Sequence, residues 1–316
     1  MSEKIRLIID TDPGQDDAAA ILMAHGLAKR GLIDFMALTV VAGNVSLHPA
    51  TNARIICDWA GEKDFPVYAG AGKPLLRSLV TAEEVHGKTG LDGVELHEPV
   101  CPLQPVHAVP YLIDTLRKAD DASITICPIG PLTNIAQALS LAPDIGRAIK
   151  NIVLMGGNYF EAGNITPAAE FNFYVDPHAA QVVLQSGVPI TILPLDVTHK
   201  ATITTPRMDV LRQQPNANGS RLAGILQSYE RFDTQKFGLE GGPLHDPCAI
   251  AYAVFPEFFS GRDCHVAVET QSELTMGACV VDWWGTTGKP ANAHWVTDVN
   301  ANKMFHEMAE SIRHLP

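Results

Sequence analysis

The chain has 316 residues, 46% of them hydrophobic, and a formal net charge of −12. That length and apolar fraction suffice for a large core in one α/β domain spanning residues 1–316, while the acidic balance argues against nucleic acid, whose phosphates are bound through clustered Lys and Arg. No apolar run reaches the ~18 residues that cross a bilayer and no apolar leader follows Met1, so a cytoplasmic protein off the membrane is expected, with a small neutral or cationic ligand.

The first predicted strand, Ile5 to Ile9, runs into Asp10-Thr11-Asp12-Pro13-Gly14-Gln15-Asp16-Asp17, and an Ala-rich helix is expected over Ala18 to Lys29. Four carboxylates in one strand-to-helix turn repel, and each costs several kcal/mol if desolvated without a partner. Helix capping accounts for Asp16 or Asp17 but leaves Asp10 and Asp12 unexplained. A hard cation such as Ca²⁺ or Mg²⁺ removes the conflict by taking carboxylate and carbonyl oxygens, and Pro13-Gly14 supplies a turn sharp enough to face both acid pairs at one point.

Further β-branched runs follow with helical stretches between them: Phe35 to Val41, Ser123 to Ile126, Asn151 to Met155 and Val188 to Leu195. They stop at Ala42-Gly43-Asn44, Pro128-Ile129-Gly130-Pro131, Gly156-Gly157-Asn158 and Asp196-Val197-Thr198. The alternation predicts a mostly parallel, Rossmann-like central sheet flanked by helices, and the carboxyl ends of such strands share the edge where ligands bind. Between Gly163 and Asp176 a non-periodic stretch sets out Asn164, Glu170 and Asn172, groups that bind hydroxyls well or serve an ordinary solvated loop. Before the apolar helical run Cys248 to Val254 stands Gly241-Gly242-Pro243-Leu244-His245-Asp246-Pro247. There Asp246 fits a helix N-cap with Pro247 as the first helical residue, and His245 fits either a core histidine or a chemical one.

Several alternatives fail on their residues. Gly70-Ala71-Gly72-Lys73-Pro74 lacks the spacing and the Ser or Thr of a phosphate loop, and no His-Glu-x-x-His, Gly-x-Ser-x-Gly or Gly-x-Gly-x-x-Gly occurs. Asp10-Thr11-Asp12 is similar to the start of haloacid-dehalogenase-type phosphohydrolases, which would use Mg²⁺, but the continuation differs and the second acid pair is unexplained. Six cysteines, Cys57, Cys101, Cys127, Cys248, Cys264 and Cys279, are scattered without a Cys-x-x-Cys pair, so buried thiols are expected rather than zinc or disulfides.

Taken together, Asp10-Thr-Asp12-Pro13-Gly14-x-Asp16-Asp17, Gly43-Asn44, Ile129-Gly-Pro-Leu-Thr-Asn134, Met155-Gly-Gly157, Glu170-x-Asn172 and His245-Asp246-Pro247 resemble the inosine–uridine-type nucleoside hydrolases. The motifs come in that family's order over about residues 5 to 250, and Trp283-Trp284-Gly285 and Gly288-Lys289-Pro290 also look familial. Closest in look are the bacterial ribonucleoside hydrolases that favour pyrimidines. The resemblance implies one Ca²⁺ per subunit, held by Asp12, Asp17, the backbone carbonyl of Ile129 and Asp246, with the ribose 2′- and 3′-hydroxyls and water completing its shell. Many family members carry Thr where Ile129 stands, a change that a main-chain ligand tolerates.

By the same resemblance Asp10 orients the ligands from behind, Asp16, Asn44 and Asn172 hold the 2′- and 3′-hydroxyls, Asn164 and Glu170 hold the 5′-hydroxyl, and Met155 lines the ribose pocket. Asp12 is the base for the attacking water, His245 the acid or hydrogen-bond donor for the departing base, and His86 a second histidine on a loop over the site. Phe237 stands where some relatives have Tyr and Asp233 where some have Gln, which leaves the base preference open. A homo-oligomer, tetramer or dimer, is implied. The chemistry agrees, because breaking an N-glycosidic bond builds positive charge on the ribose that nearby carboxylates stabilise. Losing a ribose hydroxyl would strand buried polar groups, predicting preference over 2-deoxyribose. A calcium-dependent nucleoside- or ribose-binding protein without turnover is the non-enzymatic alternative, to which Asp12 and His245 would be superfluous.

Overall fold

The computed structural model describes residues 4–45, 49–237 and 241–316, with the side chains of 229–237 left out. Nine strands form one sheet: β1 (Ile5–Thr11), β2 (Ile33–Val40), β3 (Val67–Ala69), β4 (Ile124–Pro128), β5 (Ile149–Met155), β6 (Ile190–Leu193), β7 (Phe259–Val268), β8 (Cys279–Asp282) and β9 (Ala293–Val299). Their order is β3-β2-β1-β4-β5-β6-β9-β7-β8. Every pairing from β3 to β9 is parallel, and only the β9–β7 and β7–β8 pairings are antiparallel.

The strands alternate their burial between two cores. Leu7 and Ile9 of β1 enter one apolar cluster and Ile8 the other, as the two-residue period of a strand covered on both faces requires. The first cluster is built round the helix Gln15–Lys29, buried from Gln15 through Leu27 and apolar on all sides from Ala18 to Ala24, a stretch that lies inside the molecule. Gly26 on that helix packs against the backbone of Ser311, in the helix Ala301–Arg313, where a β-carbon would overlap the chain. Among the described residues no helix is long and apolar enough to cross a membrane.

The predicted strands are all present, with shifted limits: β4 runs on to Pro128, and β6 ends at Leu193 because Leu195–Thr198 turns into a one-turn helix. The expected non-periodic stretch is also part helix, since Phe171–Val175 is helical with Glu170 as its N-cap. The helix before Val254 starts at Asp246, so His245 occupies the N-cap position expected for Asp246.

Candidate active site

At the carboxyl end of β1 the chain buries Asp10, Asp12, Asp16 and Asp17 together. Asp12 accepts the backbone N–H of Asn44 on Oδ2 at 2.8 Å, while its buried Oδ1 has no partner. The room for this carboxylate comes from two glycines on neighbouring strand ends. A β-carbon on Gly130 would lie 2.5 Å from Asp12 Oδ1, and one on Gly43 would overlap Oδ2. Asp17 accepts the Thr11 hydroxyl at 2.5 Å on Oδ1, and on Oδ2 the Gly14 N–H at 2.9 Å and the Asn44 amide at 3.1 Å. The Gly14 bond is the helix-capping role.

Asp17 does more than cap. Carboxylate oxygens of Asp16, Asp17 and Asp246 all lie within 4.8 Å of one another. Asp16, expected at the ribose, therefore meets two of the expected metal ligands. Asp12 sits beside Asn44 and the two glycines and repels Asp17 and Asp16 from there. Burial, reinforced by this repulsion, holds the carboxyls of Asp12 and Asp246 well above the usual range, and burial raises Asp17 as well. The Asp17 and Asp246 carboxylates lie close enough together that a proton or a cation between them would relieve their repulsion. Converging buried carboxylates with an orphaned Asp12 oxygen fit a hard divalent cation.

Asp10 sits behind them. Its Oδ1 accepts the Thr39 hydroxyl at 2.5 Å and the Asn134 amide at 2.8 Å, and burial pushes it up to about 7. Asn134 also donates to Val40 O and accepts from Ala71 N–H, so it ties the ends of β1, β2 and β3 together.

A second network occupies the end of β5. The Asn172 amide donates to Ile129 O at 3.1 Å, to Met155 O at 3.3 Å and to Met155 Sδ at 3.4 Å. Glu170 accepts the N–H groups of Asn172 and Gly157 at 2.9 Å and of Phe173 at 3.1 Å, and burial lifts its carboxyl to about 7. Asn164 Oδ1 accepts the Phe171 N–H at 2.9 Å. Ile129, Met155, Asn164, Glu170 and Asn172 thus form one connected set, and Asn172 links it to the carbonyl expected at the metal.

The two histidines are both buried. His245 Nδ1 meets the Thr198 hydroxyl at 2.7 Å, and its ring centroid lies 5.7 Å from that of His199. His86, in the one-turn helix Glu83–His86, meets Gln15 Oε1 at 2.6 Å through Nδ1 and accepts the Gln15 amide on its carbonyl at 3.0 Å. Burial lowers both rings, His86 to about 4. His86 is folded onto the acid turn, for a β-carbon on Gly14 would lie 2.5 Å from its Nδ1. The side chains of Phe237 and Asp233 lie outside the described residues.

Sequence reasoning gave no role to Thr198, Gln15, Thr39 or Asn134. Gln15 and Asn134 stood inside the quoted motifs and Thr198 in a polar strand end, yet their partners are 71, 124 and 47 residues away.

Residues 7–306 match the family described as inosine-uridine preferring nucleoside hydrolase. A pyrimidine-specific ribonucleoside hydrolase RihA of Photobacterium profundum is 43% identical over 311 residues, 97% of this chain and 98% of that one. An uncharacterized protein of Schizosaccharomyces pombe is 47% identical over 313 residues, 99% of this chain and 100% of its own. Among solved structures, a purine-preferring ribonucleoside hydrolase from Gardnerella vaginalis superposes with a TM-score of 0.89 at 30% identity, covering 98% of both chains.

Proposed function

We propose, from the premise that the chain belongs to the inosine-uridine preferring nucleoside hydrolase family, that it hydrolyses pyrimidine ribonucleosides such as uridine and cytidine in a calcium-dependent reaction, releasing base and ribose. Membership makes it a hydrolase of N-glycosyl compounds, and the phosphohydrolase alternative lapses with it. The pyrimidine preference is supported by higher identity to a pyrimidine-specific relative than to a purine-preferring solved structure, 43% against 30%. The same reading carries a cytoplasmic homo-oligomer, dimer or tetramer, acting in nucleoside salvage.

The observation that carries the chemistry is the buried Asp12 carboxylate with an unpartnered oxygen among three further acids. Asp12, Asp17, Asp246 and the Ile129 carbonyl would hold Ca²⁺, with Asp16 close enough to share in the site. When bound, the ion neutralises the acids and polarises a water and the ribose diol. Asp12 Oδ1 is free to take the proton of the attacking water, since Oδ2 is committed to Asn44. The carboxylates then face the positive charge that grows on the ribose ring. On the leaving side, the Thr198 hydroxyl at 2.7 Å from His245 Nδ1 would, as donor, keep the imidazole proton on Nε2 for the departing base.

The test is release of reducing sugar from uridine, cytidine, inosine and adenosine, with and without chelator, alongside Asp12→Asn. Release from uridine and cytidine that vanishes in the variant and with chelator supports the whole reading. Faster release from the purine nucleosides overturns the pyrimidine preference, and full activity in chelator overturns the calcium requirement.

A further inference from the structure

Asp196 has had no part in the site so far, yet it holds more main-chain groups than any ligand acid described above. It lies buried in the one-turn helix Leu195–Thr198. Its Oδ1 accepts the successive N–H groups of Tyr159, Phe160 and Glu161 at 3.1, 3.0 and 3.0 Å, and its Oδ2 accepts the indole N–H of Trp295 at 2.8 Å. Three consecutive N–H groups converging on one oxygen curl the chain tightly as it leaves β5. Two further bonds close the same curl: Leu195 N–H to Gly157 O at 2.9 Å, and the Asn158 amide to Glu161 O at 3.0 Å. Trp295 is fully buried in β9, so it fixes Asp196 against the sheet.

The curled segment leads from Met155 to Asn164. At its start Gly157 N–H is held by Glu170, and at its end Asn164 accepts from Phe171, the residue after Glu170. Both ends of the loop are therefore tied to residues 170–171, and its shape bears on where Asn164 stands relative to Glu170. Asp196 does not cap its own helix, and its four accepted bonds all go to this loop and to β9.

We propose that Asp196 is a positioning residue for substrate binding: by gathering the N–H groups of residues 159–161 it sets the loop that presents Asn164 and Glu170 to the 5′-hydroxyl of the nucleoside. This rests on the reading that those two residues hold that hydroxyl. Without Asp196, three N–H groups and the buried Trp295 indole lose their acceptor together, the curl opens, and the 5′ side of the site loses definition while the acid cluster at β1 keeps its own partners.

The experiment compares uridine with 5′-deoxyuridine in the wild type, Asp196→Ala and Asp196→Asn. The wild type tests the underlying reading on its own: equal kcat/KM for the two substrates would show that no group grips the 5′-hydroxyl. Given discrimination in the wild type, Asp196→Ala is expected to raise the KM for uridine about tenfold with a smaller change in kcat, and to bring the two substrates close to parity. Asp196→Asn keeps an oxygen for the three N–H groups but turns an amide donor toward Trp295, so its loss of discrimination should be intermediate, with an altered near-ultraviolet dichroism of the indole. A heat-sensitive Asp196→Ala that retains wild-type KM and full 5′-hydroxyl discrimination overturns the proposal. Should that variant not fold, Asp196→Asn decides: partial loss of discrimination supports the role, wild-type values overturn it.

Discussion

Gly43 and Gly130 show how narrowly the central carboxylate is accommodated. Neither has a positive φ; what demands glycine is the Asp12 side chain lying where a β-carbon would go. Gly130→Ala is therefore expected to fold but to displace Asp12, lowering kcat on uridine by about 100-fold, as a misplacement near 1 Å can. Circular dichroism paired with turnover checks this, and an Ala variant of normal activity would contradict the packing. A second residue, on the helix Gln15–Lys29, contributes to the pH dependence of stability. His25 is wedged between Phe35 and Phe65, with ring centroids 4.8 and 4.6 Å away, its Nε2 has no partner, and burial pushes its pKa down to about 3. The folded value lies below the unfolded one of 6.5, so the stability it permits is complete above pH 6.5 and is lost as pH falls toward 3. Between pH 7 and 4.5 that linkage is worth about 2–3 kcal/mol. His25→Leu should lose that much less stability over the same interval, read from denaturant midpoints at the two pH values.

One-turn helices do much of the positioning at the scale of elements. Leu195–Thr198 serves both flanks of the site, Asp196 holding the β5 loop and Thr198 holding His245. Thr198→Val removes the hydroxyl that fixes the imidazole and is expected to cost about 100-fold in kcat on uridine, within the usual range for general acid catalysis. A nitrophenyl riboside, whose leaving group needs no proton, should be cleaved at nearly the wild-type rate; an equal loss on both substrates would remove His245 from leaving-group chemistry. These short helices were poorly legible in the sequence because four residues carry no period. Strand β3, three residues long, escaped for the same reason, and β7 escaped because its first half is exposed and polar, as an antiparallel strand permits. By contrast β1, β2, β4, β5 and β6 announced themselves as apolar runs ending in polar turns, whereas β8 and β9 also went unread. The acid cluster of Asp10, Asp12, Asp16 and Asp17 stood out by position and residue type, whereas Asn44, Asn172 and Asp246 were assigned roles through the family resemblance. Asp196 could not be given a role either way, because its indole partner is 99 residues away and nothing in either segment names the other.

For the molecule as a whole, the concentration of buried acid would tie stability to the proposed cation. Asp12, Asp17 and Asp246 all have pKa values raised by burial, so their charges oppose the folded state until a proton or a metal ion compensates them. A cation bound at 100 times its dissociation constant adds about 2.7 kcal/mol, which for a chain of this size corresponds to roughly 5 °C in Tm. Chelation is expected to lower the Tm of the calcium-loaded protein by that amount, calcium to restore it, and Asp12→Asn to blunt the difference. Identical melting with and without chelator would separate the acid cluster from metal binding altogether.

The same cluster also has a history within each molecule's synthesis. Asp10 through Asp17 are made more than two hundred residues before Asp246. At translation rates of about 5–20 residues per second, the early acids wait roughly 10–50 s for the carboxylate that completes their arrangement. Until then they are like charges with neither a full set of partners nor a shield from water, and the helix Gln15–Lys29, which the finished fold buries from Gln15 through Leu27, has no partner in Asp246–Val254 to close over it. The nascent chain thus carries the acid cluster long before the residue that completes it, so ribosome-bound chains halted before residue 246 should remain open to proteases at β1 and the helix Gln15–Lys29, while those extended past it become resistant.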